Sequence, residues 1–166
     1  AWRAGAALLA ALAVTGCDRG IAPPETLPPA GIMTGTVTFL SWDSAGSTYD
    51  IRLVAFRRFP PTSILEEVLT GRAVVHPPVG PGSVPLALPD TPAVSYTVRL
   101  PPGIYPYVVV AQQFGPVFSS DWRPVGQYDL DSNLAVPSPV EAVAGDTTRN
   151  VDITVDFTRL PPPPFR

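Results

Sequence analysis

The distribution of proline constrains this chain more than any other feature. Proline occurs 23 times in 166 residues, far above the average usage of about 5%. The prolines gather outside the segments of alternating polarity, as in Pro60-Pro61, Pro77-Pro78, Pro101-Pro102 and residues 161–164. Each proline fixes φ and removes a ladder donor. Short strands joined by stiff loops are what this spacing accommodates.

The alternating segments are read as strands. Residues 35–40 set Val37 and Phe39 against Thr36 and Thr38, the period of two that marks a strand. Residues 49–56 place Ile51, Leu53 and Ala55 on one face. Val54 and Phe56 on the other face predict a central strand covered on both sides. Residues 72–76 and 84–88 read as short strands around a Pro-Gly loop, and 95–100 as a clearer one. Residues 105–112 carry Val108, Val109 and Val110 in a row, which predicts burial on both faces. Residues 114–126 read as a long loop, 127–130 as a short strand, and 140–143 as a segment leading to a Gly145-Asp146 turn. In 150–157, Val151, Ile153, Val155 and Phe157 alternate with polar residues. One helix is expected at 63–69, with Ser63 and Glu66 at capping-box spacing. Ile64, Leu65, Val68 and Leu69 would form its apolar face, and Gly71 its left-handed end. Two turns are not stable alone, so the helix must lie on a sheet. Seven to nine short strands with one small helix predict an all-β, antiparallel, immunoglobulin-like sandwich.

The amino-terminal segment points to export. Arg3 precedes an apolar run over residues 4–14, too short to cross a bilayer, which takes about 20 residues. A charge followed by a short apolar run is the layout of a secretory signal. It ends in Val14-Thr15-Gly16-Cys17, which resembles the lipobox of bacterial lipoproteins. That resemblance implies cleavage before Cys17 and lipid on its sulfur. Each buried CH2 contributes roughly 0.8 kcal/mol, and two or more chains anchor stably where one does not. The other reading is an ordinary signal with a chance cysteine. The expected organisation is a signal peptide at 1–16, a Pro-rich lipidated tether at 17–32, a sandwich at 33–160 and a Pro-rich tail at 161–166.

Composition excludes several chemistries. From Cys17 onward ten arginines face 14 acids; that balance holds no basic patch for nucleic acid. Lysine is absent, which rules out Schiff-base chemistry, a lysine general base, a P-loop and a lysine-to-asparagine isopeptide crosslink. Cys17 is the only cysteine, so no intrachain disulfide supports the fold. No cofactor is expected.

Three segments together resemble the transthyretin-like (prealbumin-like) sandwich of bacterial carboxypeptidase regulatory-like domains. Gly35-Thr36-Val37 is similar to its first strand. Residues 96–105 (YTVRLPPGIY) are similar to its signature hairpin, in which "LPPGxY" joins two central strands. Residues 144–153 are similar to its closing turn and last strand. Such domains are usually noncatalytic modules, so the resemblance implies a prealbumin-like fold and a binding or scaffolding role. The helix at 63–69 and the loop before Gln127 depart from the simple pattern.

Four groups of residues are candidates for chemistry. His76, the only histidine, would have to serve any Ser-His-Asp triad, and no G-x-S-x-G elbow accompanies it. It reads first as a strand-end residue. Asp129, Asp131 and Asn133 have D-x-D-x-N spacing for a cation, but Leu134 and Val140 stand where an EF-type loop needs Gly and Glu. They read first as a solvated acidic turn, and no metal is expected. Phe114, Phe118, Trp122, Arg123 and Tyr128 crowd one loop region, where rings and polar neighbours suit a sugar. Alternatively those rings pin the loop to the sandwich. Arg57-Arg58-Phe59 is a small basic spot that reads as a solvated face.

These readings converge on a noncatalytic lipoprotein of the cell envelope, bound to a membrane through Cys17 on its periplasmic face or at the cell surface. It would bind or scaffold an envelope protein or glycan. The alternative is a carbohydrate-binding surface lipoprotein using the aromatic loop at 114–128.

Overall fold

The computed structural model describes residues 28–42, 48–131 and 133–164. The signal segment 1–16 and Cys17 lie outside the described residues, as does most of the tether. Among the described residues the chain forms ten strands and one helix. In order these are β1 (Gly31–Leu40), β2 (Asp50–Phe56), α1 (Ile64–Leu69), β3 (Ala73–His76), β4 (Ala93–Leu100) and β5 (Gly103–Tyr105). They are followed by β6 (Tyr107–Gln113), β7 (Trp122–Gln127), β8 (Val140–Ala142), β9 (Thr147–Thr148) and β10 (Ile153–Asp156).

The protein is an all-β sandwich. One sheet runs β10-β1-β4 with β9 also on β1, the other runs β3-β2-β6-β7, and β5-β8 form a small ribbon. Most pairs are antiparallel, but β9 and β10 both run parallel to β1. The sheet containing β1 is therefore mixed rather than purely antiparallel.

Alternation decides which side chains meet. Met33, Val37 and Phe39 of β1 face Ile51, Leu53 and Ala55 of β2 and Val108 and Val110 of β6 across the main core. The opposite faces of β2 and β6 carry Val54, Phe56, Tyr107, Val109 and Ala111, which pack beneath Ile64 of α1. Both central strands are thus covered on two sides, as their unbroken apolar runs imply. Ser63 caps α1 by accepting from the Glu66 N–H at 3.1 Å, and Gly71 at φ +71 follows the helix. The buried stripe differs from the expected one: Leu69 is 76% exposed, while Glu67 is fully buried. Glu67 lies three residues from Ile64 and shares its side of the helix.

Several expected elements are corrected. β1 already pairs at Gly31 and Ile32, with Leu100 and Arg99, so the tether ends earlier than residue 32. Residues 84–88 do not form a strand. Pro85 and Pro89 leave few donors, and only the Leu86 N–H reaches the neighbouring sheet, at Ile51 O. Leu86 and Ala87 instead plug the core. The long loop is shorter than 114–126, because β7 begins at Trp122 and takes the place of the short strand at 127–130. β7 was hidden by Pro124 and Gly126, and its register shifts beside Pro124, a place where a strand tolerates proline. Gly126 is required there, since a Cβ would stand 2.8 Å from Thr154 O of β10. The last strand is four residues rather than eight. Asn150 at φ +60 turns the chain, and the Asp152 carboxylate accepts from the Thr36 N–H at 2.7 Å, so a side chain interrupts the ladder. The Pro-Pro-Gly turn does not join two central strands: β4 is an edge strand, and β5 belongs to the small ribbon. Pro161 is buried and Leu160 packs on the core, so part of the tail belongs to the domain.

Candidate functional site

The five loop candidates do not converge on one site. The loop is shaped by Asp121. Its backbone carbonyl accepts from the Phe114 N–H and its carboxylate from the Val117 N–H, both at 2.9 Å. The strand β7 that follows then alternates its side chains across the sheet. Trp122 turns toward α1, and its Nε1 donates to Phe118 O at 2.8 Å while the two rings meet edge to face at 5.8 Å. Beneath Trp122, the apolar seam against Ile64, Leu65 and Val68 retains a cavity of ≈ 20 Å³, room for about one water. Trp122 thus pins the loop onto the helix side, where it also walls a shallow cleft of ≈ 200 Å³ with Ser63, Leu65, Ser119 and Ser120. Trp122→Ala is expected to cost about 2 kcal/mol, less than the roughly 3–5 kcal/mol of core aromatic truncations because the ring is half-buried. Urea unfolding would measure it, and a cost under about 0.5 kcal/mol would show that the ring supports nothing. Tyr128 stands apart from both rings and packs against the main core.

Arg123 and Phe114 share the opposite side of the loop. The guanidinium lies 5.4 Å from the Phe114 ring centroid, within cation–π range. Its direction is set from below: Arg123 Nε donates to Gln112 Oε1 at 2.9 Å, and Gln112 Nε2 donates to Thr48 Oγ1 at 2.7 Å. Gln112 is only 1% exposed, so a buried amide orients a cation at the rim. Beside this pair opens a groove of ≈ 530 Å³ lined by Phe114, Arg123, Pro124 and Leu160 through Pro163. Its volume is in the range of ligand sites. Its walls are mainly apolar, with one oriented positive group. That combination suits an extended or cyclic ligand with an apolar face and an acceptor for the guanidinium. The tail prolines in this wall were not visible as site residues, because only the chain's return past β10 brings them to Phe114.

The acidic turn is bonded to itself. Asp131 Oδ1 accepts from the Asn133 N–H at 2.6 Å, and Asn133 Oδ1 from the Ala135 N–H at 3.2 Å. Asp129 accepts from Gln127 Nε2 at 3.1 Å and Ser138 Oγ at 3.0 Å. Each of these three side chains accepts from a neighbouring donor, as in Asx turns. Among the described residues no group of three or more His, Cys, Asp and Glu side chains is placed to hold a metal.

His76 ends β3 opposite Leu53. Burial and the nearby Arg52 charge push its pKa below the ordinary histidine value, which favours the neutral ring at pH 7. Arg52, 4% exposed, binds Asp50 at 2.8 Å and reaches Pro77 O at 3.0 Å and Val84 O at 2.9 Å. The polar groups around His76 therefore tie down the loop at 77–84.

The basic spot at 57–59 is also structural. Arg57 lies 4.9 Å from the Tyr105 ring centroid and donates to Pro101 O. Arg58 and Arg72 both bind the buried Glu67, through Nε atoms at 2.7 and 2.8 Å from its carboxylate. Arg57, Arg58 and Phe59 are all exposed, as a solvated face requires, and the acid that Arg58 pairs with is a carboxylate buried under the helix.

Comparison with protein-family models, with curated proteins and with solved structures yields no match.

Proposed function

We propose that the chain is a noncatalytic lipoprotein of the cell envelope whose β-sandwich binds or scaffolds another envelope component. The observation that carries the binding role is the groove beside Phe114, where the buried Gln112 aims Arg123 at an open apolar wall. A further support is that the groups suited to catalysis have structural partners: Glu67 its arginines, Asp129 its turn, and Arg52 the loop next to His76. The Val14-Thr15-Gly16-Cys17 motif supports the anchor, and the resemblance of residues 96–105 to the transthyretin-like module supports a noncatalytic role. The carbohydrate reading survives in a narrower form. Phe114, 43% exposed, offers a ring face beside an amide and a guanidinium, whereas Trp122 is committed to the helix.

The anchor is tested by growing cells on a clickable fatty acid. The expected result is label on the wild type and none on Cys17→Ala, which moves from the membrane to the soluble fraction. An unlabelled wild type would remove the anchor from the reading. The site is tested with Phe114→Ala and Arg123→Ala in the full chain. Both are expected to lower capture of an envelope protein or glycan at least tenfold, Phe114→Ala with little change in Tm and Arg123→Ala with the modest loss that follows from removing the donor to Gln112. Retained capture would move binding elsewhere on the domain.

A further inference from the structure

β4 is an edge strand, and hydrogen-bond parity decides what its rim presents. The Ile32 N–H donates to Asp146 O, the Val151 N–H to Thr34 O, and the Thr36 N–H to Asp152 Oδ1. Even residues of β1 therefore turn away from β4, and odd residues turn toward it. The register partners of those odd residues are Val94, Tyr96, Val98 and Leu100, which make the ladder with β1. The residues between them, Ala93, Ser95, Thr97 and Arg99, turn their N–H and C=O groups outward. All four are exposed, and among the described residues none of these backbone groups has a partner.

The other edges are treated differently. β3 is four residues long and packs against α1. β7 carries Pro124 and a register shift, and it lies against β10. Folded proteins blunt edges with proline, lysine, bulges or a covering element. β4 has no proline, lysine or register shift across its eight residues.

We propose that β4 pairs antiparallel with β4 of a second copy of this chain, joining the two sheets into one. The rim is complementary to itself in one register, with Ala93 opposite Arg99, Ser95 opposite Thr97, and Tyr96 opposite its own copy. All four outward residues of each copy then exchange bonds with outward residues of the other. The only charge on the rim, Arg99, meets a small neutral residue, and the Ser–Thr pairs are favourable cross-strand neighbours. Sliding by two residues one way sets Ala93 against Pro101, which has no N–H to give. Sliding the other way sets Arg99 against Thr91, whose N–H already donates to Leu88 O and whose carbonyl already accepts from Trp42 Nε1. The prolines and turns flanking β4 thus fix both the length and the register of the pairing. One strand pair is smaller than the roughly 1,200–2,000 Å² of stable interfaces, so the association is weak and reversible. It does not depend on the anchoring proposed above.

The test uses the full chain, co-expressed in two versions with different tags and with a benzophenone-bearing amino acid at Ala93 of one version. Irradiation is expected to give an adduct carrying both tags. Thr97→Pro in both versions should reduce it at least tenfold, because the Thr97 N–H serves the rim and takes no part in the β1 ladder. Thr97→Lys in both versions should do the same. Pairing Thr97→Lys in one version with Ser95→Asp in the other should restore it, since those residues face each other. The Lys and Asp variants keep the test valid if Thr97→Pro does not fold. An adduct with a different protein, no adduct with both tags, or an adduct insensitive to a folded Thr97 variant would each overturn the proposal.

Discussion

Gly35→Ala is expected to destabilise the domain by about 3–5 kcal/mol, the largest effect of any single methyl in this structure. A Cβ at residue 35 would stand 2.1 Å from Val151 O and 2.6 Å from Val151 C. Those are backbone atoms, so no rotamer change can relieve the overlap. β1 or the segment entering β10 must move. The same shift would disturb the Tyr96 hydroxyl, which donates to Val151 O and lies 3.0 Å from the added Cβ. That hydrogen bond is buried, and an unsatisfied buried hydroxyl costs about 1–3 kcal/mol on its own. Overpacking usually costs about 1–3 kcal/mol where side chains yield, and here the backbone must yield. Domains have only about 5–15 kcal/mol to lose. A fall in Tm of about 12–20 °C follows from about 4 °C per kcal/mol, the value expected for a domain between 100 and 150 residues. Gly80→Ala is the control, because nothing lies within 4 Å of its Cβ, and it should stay within about 0.5 kcal/mol of wild type. A Gly35→Ala protein that melts with the wild type would mean that β1 does not pass this close to Val151.

Glu67→Gln is expected to remove about 2–3 kcal/mol at pH 7 and to flatten the acid side of the stability curve. Burial alone would raise the Glu67 pKa. Hydrogen bonds from Arg72, the Thr62 N–H and Arg58 outweigh it and hold the pKa at about 2, against 4.5 for the free side chain. The charged form is thus favoured by the fold. The stability it contributes is fully present above about pH 4.5, declines as pH falls, and is gone below about pH 2. The stated cost is held below the full value of that shift, because Arg58 and Arg72 are 45% and 38% exposed and water screens them. Asp156 is also held below its ordinary pKa, by the Thr158 hydroxyl and N–H, and it is present in both proteins. The difference between wild type and Glu67→Gln isolates the buried carboxylate. Urea titrations from pH 7 to pH 2 should show that difference shrinking as pH falls. A difference that stays constant to pH 2 would mean that Glu67 is not held charged by its arginines.

Glu67 also marks where reading from sequence stopped short. Ser63 and Glu66 announced the start of the helix, and Gly71 its end, because caps act over three or four residues. Which helix face is buried depends on the partner beneath it. Arg58 and Arg72 are brought to the helix by β2, β3 and the turn between them, so a glutamate replaced the expected leucine in the contact. The binding candidates divided for a similar reason. Phe114, Phe118, Trp122, Arg123 and Tyr128 are close in sequence, but an unrecognised strand places Trp122 and Arg123 on opposite faces.

By itself the sequence determined the class of fold and the strands with the strongest local pattern. Val37 and Phe39, Ile51 to Phe56, and Val108 to Val110 declare their burial through a period of two or an unbroken apolar run, and both are local properties of the chain. The spacing of prolines set the short strands and stiff turns. Only the tertiary structure decided that β9 and β10 run parallel to β1, that Pro124 and Gly126 stand inside a strand, and that Leu86 and Ala87 fill the core from a loop. It also decided that the tail prolines wall the groove beside Phe114 and that the rim of β4 stays open. Each of these depends on contacts between residues far apart in the chain. Such contacts are governed by packing, close backbone approach and hydrogen-bond satisfaction, which local pattern does not encode.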